Sequence, residues 1–445
     1  MRLVPTGQAA VDEATKRALA RVGMSTEGEE PVEAVVSLVS HPAATALARQ
    51  WQAPLLTLAI GGAAGPRRLE LPTVAAAGRS VELLLVAVSP RGGPLRQLVA
   101  GAVKSSGLAP QMTVQRILTT CADWPARALA DGSPLVSREL PDAALGAAGA
   151  PAWLGLPLHA ARNAVERVRD MLTEETWAIG IAPRPVASFL ERPELDDVVW
   201  LPERAGGGFL ADPFGMETPA GPIVLAEAYV PETRCGEIVA LRLQQGSLDP
   251  VRTGLSGHLS YPCLIEDGGE LYCLPENSSA GRVTLLRAAR FPEQFEPVAV
   301  LLDDFAGVDC TPFRHEGRWW MLAMNHADQD VAKLFLFHAG HLLGPWQPHP
   351  WNPVRCDVRN ARPAGPPFLH EGRLYRPTQD CSRHYGGAVV LQRIDVLTTE
   401  WFHETRVARI EPDPNGPYPD GVHTLTALGA TQTLVDGKRT RLRVG

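Results

Sequence analysis

The chain has 445 residues, 45% of them hydrophobic and 20% charged, which is a globular composition in a length that predicts two domains and not one. A formal net charge of −7 with no basic stripe argues against nucleic acid as a partner. Seven cysteines stand at 121, 235, 263, 273, 310, 356 and 381 with no C-x-x-C pair, which fits reduced thiols, although Cys263 and Cys273 could face each other across one hairpin.

The N-terminus, MRLVPTGQAAVDEATKRALARVGM, has no continuous apolar run behind Arg2, so no signal peptide is expected. Residues 143–161 are rich in Ala, Gly and Pro and too weakly apolar for a membrane span. The expectation is a cytoplasmic protein without a transmembrane segment. Two strands are predicted at 31–40 and 54–60, with a helix at 41–50 between them. Val81–Val88 reads as a strong strand and Leu95–Lys104 as a strand or short helix. Val114–Leu129 and Leu156–Met171 carry helical spacing of apolar residues. Residues 1–175 therefore read as a small α/β or α+β domain.

From Trp177 the texture changes to short strand runs punctuated by Gly, Pro and Asp. A repeat becomes visible: LADPFGMETPAGPIVLAEAY (210–229), SYPCLIEDGGELYCLPENSS (260–279), CTPFRHEGRWWMLAMNHAD (310–328) and RPAGPPFLHEGRLYRPTQD (362–380), with a looser fifth copy at 421–444. Spacing of roughly 45–50 residues suits four-stranded blades. The fold class expected for 176–445 is thus mainly β, a five-bladed β-propeller. Too few strands follow the fifth copy to complete a blade, so Trp177–Ile181 is expected to supply the missing outer strand.

In a propeller the first strand of each blade lines the channel and the second returns antiparallel to it. First-strand starts and second-strand ends then share one mouth. This parity collects Asp212, Tyr261, Asp309, Arg362 and His423 with Glu227, Glu276, Asn325, His326, Gln379 and Asp380. Several carboxylates at one mouth are unfavourable unless paired, solvated or used. Arg362, Arg376 and Arg383 are candidate partners. Each residue also has an ordinary reading. Asp212 before Pro213 is a common turn former, and Glu276 or Asp380 can serve as a capping or Asx-type group. His315 and His370 fall in Gly turns on the far face. Trp319, Trp320 and Tyr375 are expected to pack between blades.

The pieces LADPF, SYPCL, LPENSS, DCTPF with GRWW, GPWQPHPWNPV, ARPAG, RPTQD with YGG, and GVHTL, in this order, resemble the N-terminal domain of plant glucosamine inositolphosphorylceramide transferases and its bacterial relatives. That domain is similar to the five-bladed superfamily of arabinanases, β-xylosidases, invertases and levansucrases. Residues 30–135 faintly resemble a formyltransferase C-terminal part. The resemblance implies Asp212 as base or nucleophile and Asp309 as the residue that orients substrate. Where the family's general-acid Glu usually stands, this chain has Arg362, so Glu276 or Asp380 would have to replace it.

Three readings stay open. In the first, a carbohydrate-active enzyme uses Asp212, Glu276 as a protonated acid and Asp309. Tyr261, Asn325, His326, Arg362, Arg376, Asp380, His384 and Tyr385 then bind the substrate, the arginines and His384 favouring an anionic group such as phosphate. The second is a recognition module for a sugar or glycolipid headgroup without hydrolytic activity. The third is an axial divalent ion near His423, the one cofactor the resemblance suggests. IGGAAG (60–65) leads into PRRLELP and not into a helix, so it is not a dinucleotide loop, and no P-loop or H-E-x-x-H is present.

Overall fold

The computed structural model describes residues 1–26, 32, 34–39, 42–61, 67–69, 74, 79–105, 109–130, 133–135, 137–140, 165, 171–204, 208–328 and 332–443. They form two compact units, Met1–Asp170 and Met171–Gly445.

In the first unit, strands Arg2–Leu3, Val35–Ser37 and Leu55–Ile60 pair in parallel. Ser80–Val88, Leu95–Lys104 and Arg138–Leu140 extend the same sheet antiparallel. The stretch 95–104 is therefore a strand, not a helix. Helix Pro42–Gln50 connects two parallel strands, as such crossovers require. Its Ala44 and Ala48, four apart, pack on Val35 and Leu55. Helix Ala9–Arg21 was not expected. It buries Val11, Thr15, Ala18 and Leu19, a stripe diluted in sequence by charged neighbours. The single helix predicted over 114–129 is two, Pro110–Cys121 and Trp124–Leu129, the second opening with Pro125 in its first turn. The helix predicted at 156–171 lies almost wholly outside the described residues.

The second unit is a five-bladed propeller. Blade 1 is built from Phe209–Met216, Ile223–Val230, Cys235–Arg242 and Ser247–Pro250. Blade 2 is built from Ser260–Asp267, Glu270–Glu276, Val283–Arg290 and Gln294–Leu302. Blade 3 contains Gly307–His315, Arg318–Asn325, Lys333–Ala339 and Gln347–Pro348. Blade 4 contains Phe368–His370, Arg373–Asp380, Ala388–Leu397 and Phe402–Ile410. Its first strand is short because Pro363, Pro366 and Pro367 cannot donate to the ladder, leaving a lone Pro363–Thr378 bridge toward the mouth.

Blade 5 closes the ring. Leu425–Leu428 pairs with Gln432–Leu442, that strand pairs with Thr173–Ala182, and Val199–Trp200 follows at the rim. Trp177–Ile181, expected as the outer strand, thus lies in the third strand, and Val199–Trp200 takes the outer place, one strand more than strand counting predicted. The seam is continuous because Thr173–Ala182 pairs over its whole length with Thr433–Leu442.

The core is five inter-blade layers. Val224, Ala226 and Ala228 face blade 5 through Ile179, Leu428 and Leu434, while Ile223 and Leu225 face blade 2 through Leu259, Leu286 and Phe295. Further layers join blades 2 and 3, 3 and 4, and 4 and 5. Inner strands are buried on both faces, which is why they read as continuous apolar runs and not as alternation. Trp319 packs toward blade 2 and Trp320 toward blade 4, as expected of inter-blade aromatics. Cys263 faces Leu274, and Cys273 faces Leu264. That one-residue offset puts the two thiols on opposite faces of the sheet, so they are free and the hairpin bridge does not form.

Candidate functional site

The first three blades begin with the same device. In each, the ladder shifts register between a first pair (Ala211–Glu227, Ser260–Glu276, Val308–Met324) and the next (Phe214–Leu225, Cys263–Leu274, Thr311–Leu322). The extra residue is Asp212, Tyr261 or Asp309, with φ of 52°, 46° and 47°. A β-bulge that drives a non-glycine residue into the left-handed region is strained, and such strain persists only where surroundings enforce it.

The enforcement is a carboxylate from a neighbouring blade. Asp212 donates its backbone N–H to Asp436 Oδ2 at 3.0 Å, Tyr261 to Asp212 Oδ2 at 3.2 Å, and Asp309 to Glu276 Oε2 at 3.3 Å. Asp436, Asp212 and Glu276 thus hold the bulges at Asp212, Tyr261 and Asp309 in turn.

Charge is distributed unevenly over this ring. Asp309, 2% exposed, takes Arg362 Nε at 2.5 Å, Arg362 Nη2 at 3.3 Å and Gln379 Nε2 at 3.2 Å. Burial works against the charge on Arg362, yet Asp309, Tyr385 and Glu276 hold its pKa well above the ordinary value. The guanidinium lies 4.8 Å from the centroid of the Tyr385 ring, a cation–π contact. Among the described residues its Nη1 has no hydrogen-bond partner.

Asp436 is fully buried, and each of its oxygens accepts two hydrogen bonds. Oδ1 takes the backbone N–H groups of His423 and Thr424, and Oδ2 takes the Asp212 N–H and His423 Nδ1, the last at 2.7 Å. Burial lifts the pKa of Asp436, but the His423 charge and these bonds hold it below the usual value. For His423 burial depresses the pKa, and Asp436 and Asp212 overcome it, leaving the imidazole raised. His423 Nε2 lies 3.5 Å from Asp212 Oδ1, which also accepts the Thr424 hydroxyl at 3.1 Å. Trp177 stacks on the imidazole with centroids 4.0 Å apart.

Asp212, Glu227 and Glu276 have less compensation. Burial raises Asp212 to about 6 against the opposing His423 charge, and raises Glu276 to about 8, aided by Asp309. Burial also pushes Glu227 well up, and His258, 3.7 Å away, does little to offset it because burial lowers the imidazole pKa. Near neutral pH the mouth therefore holds two ion pairs, Asp309–Arg362 and Asp436–His423, beside Glu227 and Glu276, which keep their protons, and Asp212, which is largely ionised.

Asp212, His423 and Asp436 each place one donor atom within 4.8 Å of the others, the geometry a cation would need. The donors are already engaged: His423 Nδ1 donates to Asp436, and both Asp436 oxygens are doubly used. The set fits an internal ion-pair chain and does not fit an axial divalent ion at His423.

The remaining sequence candidates fall into two groups. Asn325 and His326 stand at the mouth end of blade 3; Asn325 Oδ1 accepts the Ala327 N–H at 3.0 Å, and His326 is exposed. Tyr385 is half-buried between Arg362 and the His423 edge. His384 Nδ1 lies 3.2 Å from Lys438 Nζ. Others are turned away from the opening. Tyr261 is fully buried with its hydroxyl 2.9 Å from Thr311 Oγ1. Asp380 pairs outward with Arg409 and caps the Ser382 N–H. Arg376 is also fully buried, its guanidinium closed by Glu404 at 2.6 Å and by the Asn360 carbonyl at 2.8 Å. Arg376 therefore braces blade 4 and has no donor to spare for a ligand.

Sequence reading missed Asp436, Thr424 and Lys438. VDGK looks like a turn, and only alignment of the loose fifth copy on its bulge would have placed Asp436 beside Asp212. Lys438, 1% exposed, donates to the Tyr385 carbonyl at 2.7 Å and to Glu175 Oε1 at 3.1 Å, pinning the loop that carries Tyr385.

Residues 207–415 match the family described as glucosamine inositolphosphorylceramide transferase 1, N-terminal. The propeller resembles that domain. Glucosamine inositolphosphorylceramide transferase 1 of Arabidopsis thaliana is 34% identical over 208 residues, 45% of this chain and 27% of that protein. The protein of the same name from Oryza sativa subsp. japonica is 35% identical over 208 residues, 45% and 28% of the two chains. This chain thus spans little more than a quarter of the length of these relatives.

Solved structures similar to it include an α-L-arabinofuranosidase from Podospora anserina, at 11% identity and a TM-score of 0.39, covering 52% of this chain and 81% of that one. An exo-β-1,3-galactanase from Phanerochaete chrysosporium aligns at 11% identity and a TM-score of 0.35, covering 45% and 52%. The five blades rest on the strand pairing described above and not on these alignments. No helix among the described residues is long and apolar enough to cross a membrane.

Proposed function

We propose that the propeller mouth recognises a sugar or sugar phosphate and serves glycan or glycolipid synthesis as a binding module. The observation that carries this reading is the state of Arg362. It occupies the place of an expected acid, is fixed by Asp309 and Gln379, rests on Tyr385, and keeps Nη1 open. A fixed guanidinium edge beside an aromatic ring and neutral carboxyl groups suits hydroxyls and a phosphate oxygen. Asp309 is consumed in holding that edge. The matched relatives bear a name that contains both a sugar and an inositolphosphoryl group, which agrees with such a ligand.

A second reading, glycosidic bond cleavage or transfer, is favoured by one observation. Glu276 near 8 is protonated at neutral pH, as a general acid must be, while Asp212 near 6 is largely ionised. A calorimetric screen of saccharides and sugar phosphates, followed by glycoside hydrolysis assays of the wild type, Asp212→Asn and Glu276→Gln, separates the two. Binding without turnover supports the module. Turnover lost in both variants supports the enzyme. No binding by any saccharide or sugar phosphate sinks both.

A further inference from the structure

The turn end of the propeller, opposite the carboxylate mouth, holds a cavity of about 510 Å3 between blades 3 and 4. Its walls include His315 and Glu316 from the blade 3 hairpin turn, Arg373 from the blade 4 turn, and Arg393 and Asp395 from the third strand of blade 4.

Two arginines and two carboxylates line it, so the formal charges balance, but the hydrogen-bond donors of the arginines are not used up by the acids. Asp395 accepts Arg393 Nε at 2.5 Å and the Thr405 hydroxyl at 2.5 Å, with His403 Nδ1 3.5 Å away. Burial lifts this carboxyl, but the bonds from Arg393 and Thr405 hold its pKa below the usual value. Arg393 spends only Nε on that contact, so both of its Nη groups lack a hydrogen-bond partner among the described residues. Arg373 has none either. Glu316, with its side chain 82% exposed at the turn tip, is 3.9 Å from His315 and far from saturating either arginine. Two guanidinium groups therefore line one polar cavity with their N–H edges unspent. The volume is too small for a protein segment and adequate for a phosphorylated polyol.

We propose that this cavity is a second ligand site, specific for a phosphate group that Arg373 and Arg393 grip with their guanidinium edges. The site is independent of the mouth: it shares no residue with it and lies at the other end of the blades. The phosphate arrives on a soluble sugar phosphate or on a lipid headgroup, and both present the same dianionic or monoanionic oxygens.

The test uses the full chain. Calorimetry with glucose 6-phosphate, with glucose as the neutral control, is paired with flotation on phosphatidylcholine vesicles with and without phosphatidic acid. Hydrogen–deuterium exchange then locates the bound probe. The expected result is glucose 6-phosphate binding that protects 315–316, 372–374 and 393–397. Arg373→Ala should weaken it about tenfold, the loss of a charge-assisted bond to an exposed arginine. Arg393→Lys, which keeps a cation for Asp395, should weaken it by a similar factor while leaving the melting temperature unchanged. If only the phosphatidic acid vesicles bind, and Arg373→Ala abolishes flotation, the phosphate source is lipid. Absence of binding in both arms, protection confined to the mouth, or affinities unmoved by both substitutions would overturn the proposal.

Discussion

Arg362 and Asp309, on neighbouring blades 53 residues apart, form a two-point pair with the Nε–Oδ2 contact at 2.5 Å. Asp309 is 2% exposed and the Arg362 side chain 15%, so each shields the other from an unpaired buried charge. Removing one partner of such a pair costs roughly 3–5 kcal/mol. Arg362→Ala is expected to lose stability toward the lower end of that range in chemical denaturation. Arg362→Ala with Asp309→Asn should recover part of the loss, because the orphaned charge is gone.

Glu276 predicts the pH dependence of stability. Its carboxyl rises from about 4.5 unfolded to about 8 folded, burial being the main cause. Between those values the folded state binds the extra proton, so stability falls as pH rises through this window, by at most about 1.4 kcal/mol per pH unit. Glu276→Gln keeps an oxygen for the Asp309 N–H and removes the titration. Denaturation midpoints measured from pH 5 to about 9 should decline less steeply in the variant than in the wild type.

Asp436 and His423 act in opposite directions on pH. The raised imidazole adds stability that is complete below its unfolded pKa near 6.5 and is lost as pH rises through the folded value. The depressed Asp436 adds stability above its unfolded value near 3.8 that is lost as pH falls through the folded one. Asp436→Asn should therefore lower the His423 pKa, followed by imidazole NMR, and weaken the fold most between those limits.

Gly386 tests the loop that presents Tyr385. Its φ is +61°, and a Cβ there would sit 2.6 Å from a Trp177 ring carbon and 3.0 Å from His423 Cβ. Gly386→Ala combines left-handed strain with a ring contact, for an expected cost of about 1–3 kcal/mol. Because Tyr385 is adjacent, saccharide affinity should fall along with the melting temperature. An alanine at Gly340, where nothing lies within 4 Å, is the control.

The propeller was legible because its evidence is local and repeated: a turn-rich start, an apolar strand, a Gly turn and a polar end, four times over. Hairpin parity placed Asp212, Asp309 and Glu276 at one mouth without any knowledge of their neighbours. Pairing was not legible. Nothing in RPTQD distinguishes Arg376, which faces Glu404 two strands away, from Arg362, which faces the channel. Asp436 was hidden because VDG carries turn chemistry in a strand, where tertiary hydrogen bonds override it. In the first unit, apolar runs announced the sheet, whereas the Ala9–Arg21 helix shows its apolar stripe only once it has a surface to pack on.

The central claim is that the carboxylate mouth is a sugar site built around Arg362. Hydrogen–deuterium exchange with the tightest-binding saccharide or sugar phosphate from the screen tests it most directly. The account predicts protection at 211–213, 325–327, 361–363 and 384–386, with the protection lost in Arg362→Ala. Protection confined to the turn end, or a mouth signal indifferent to Arg362→Ala, would contradict it.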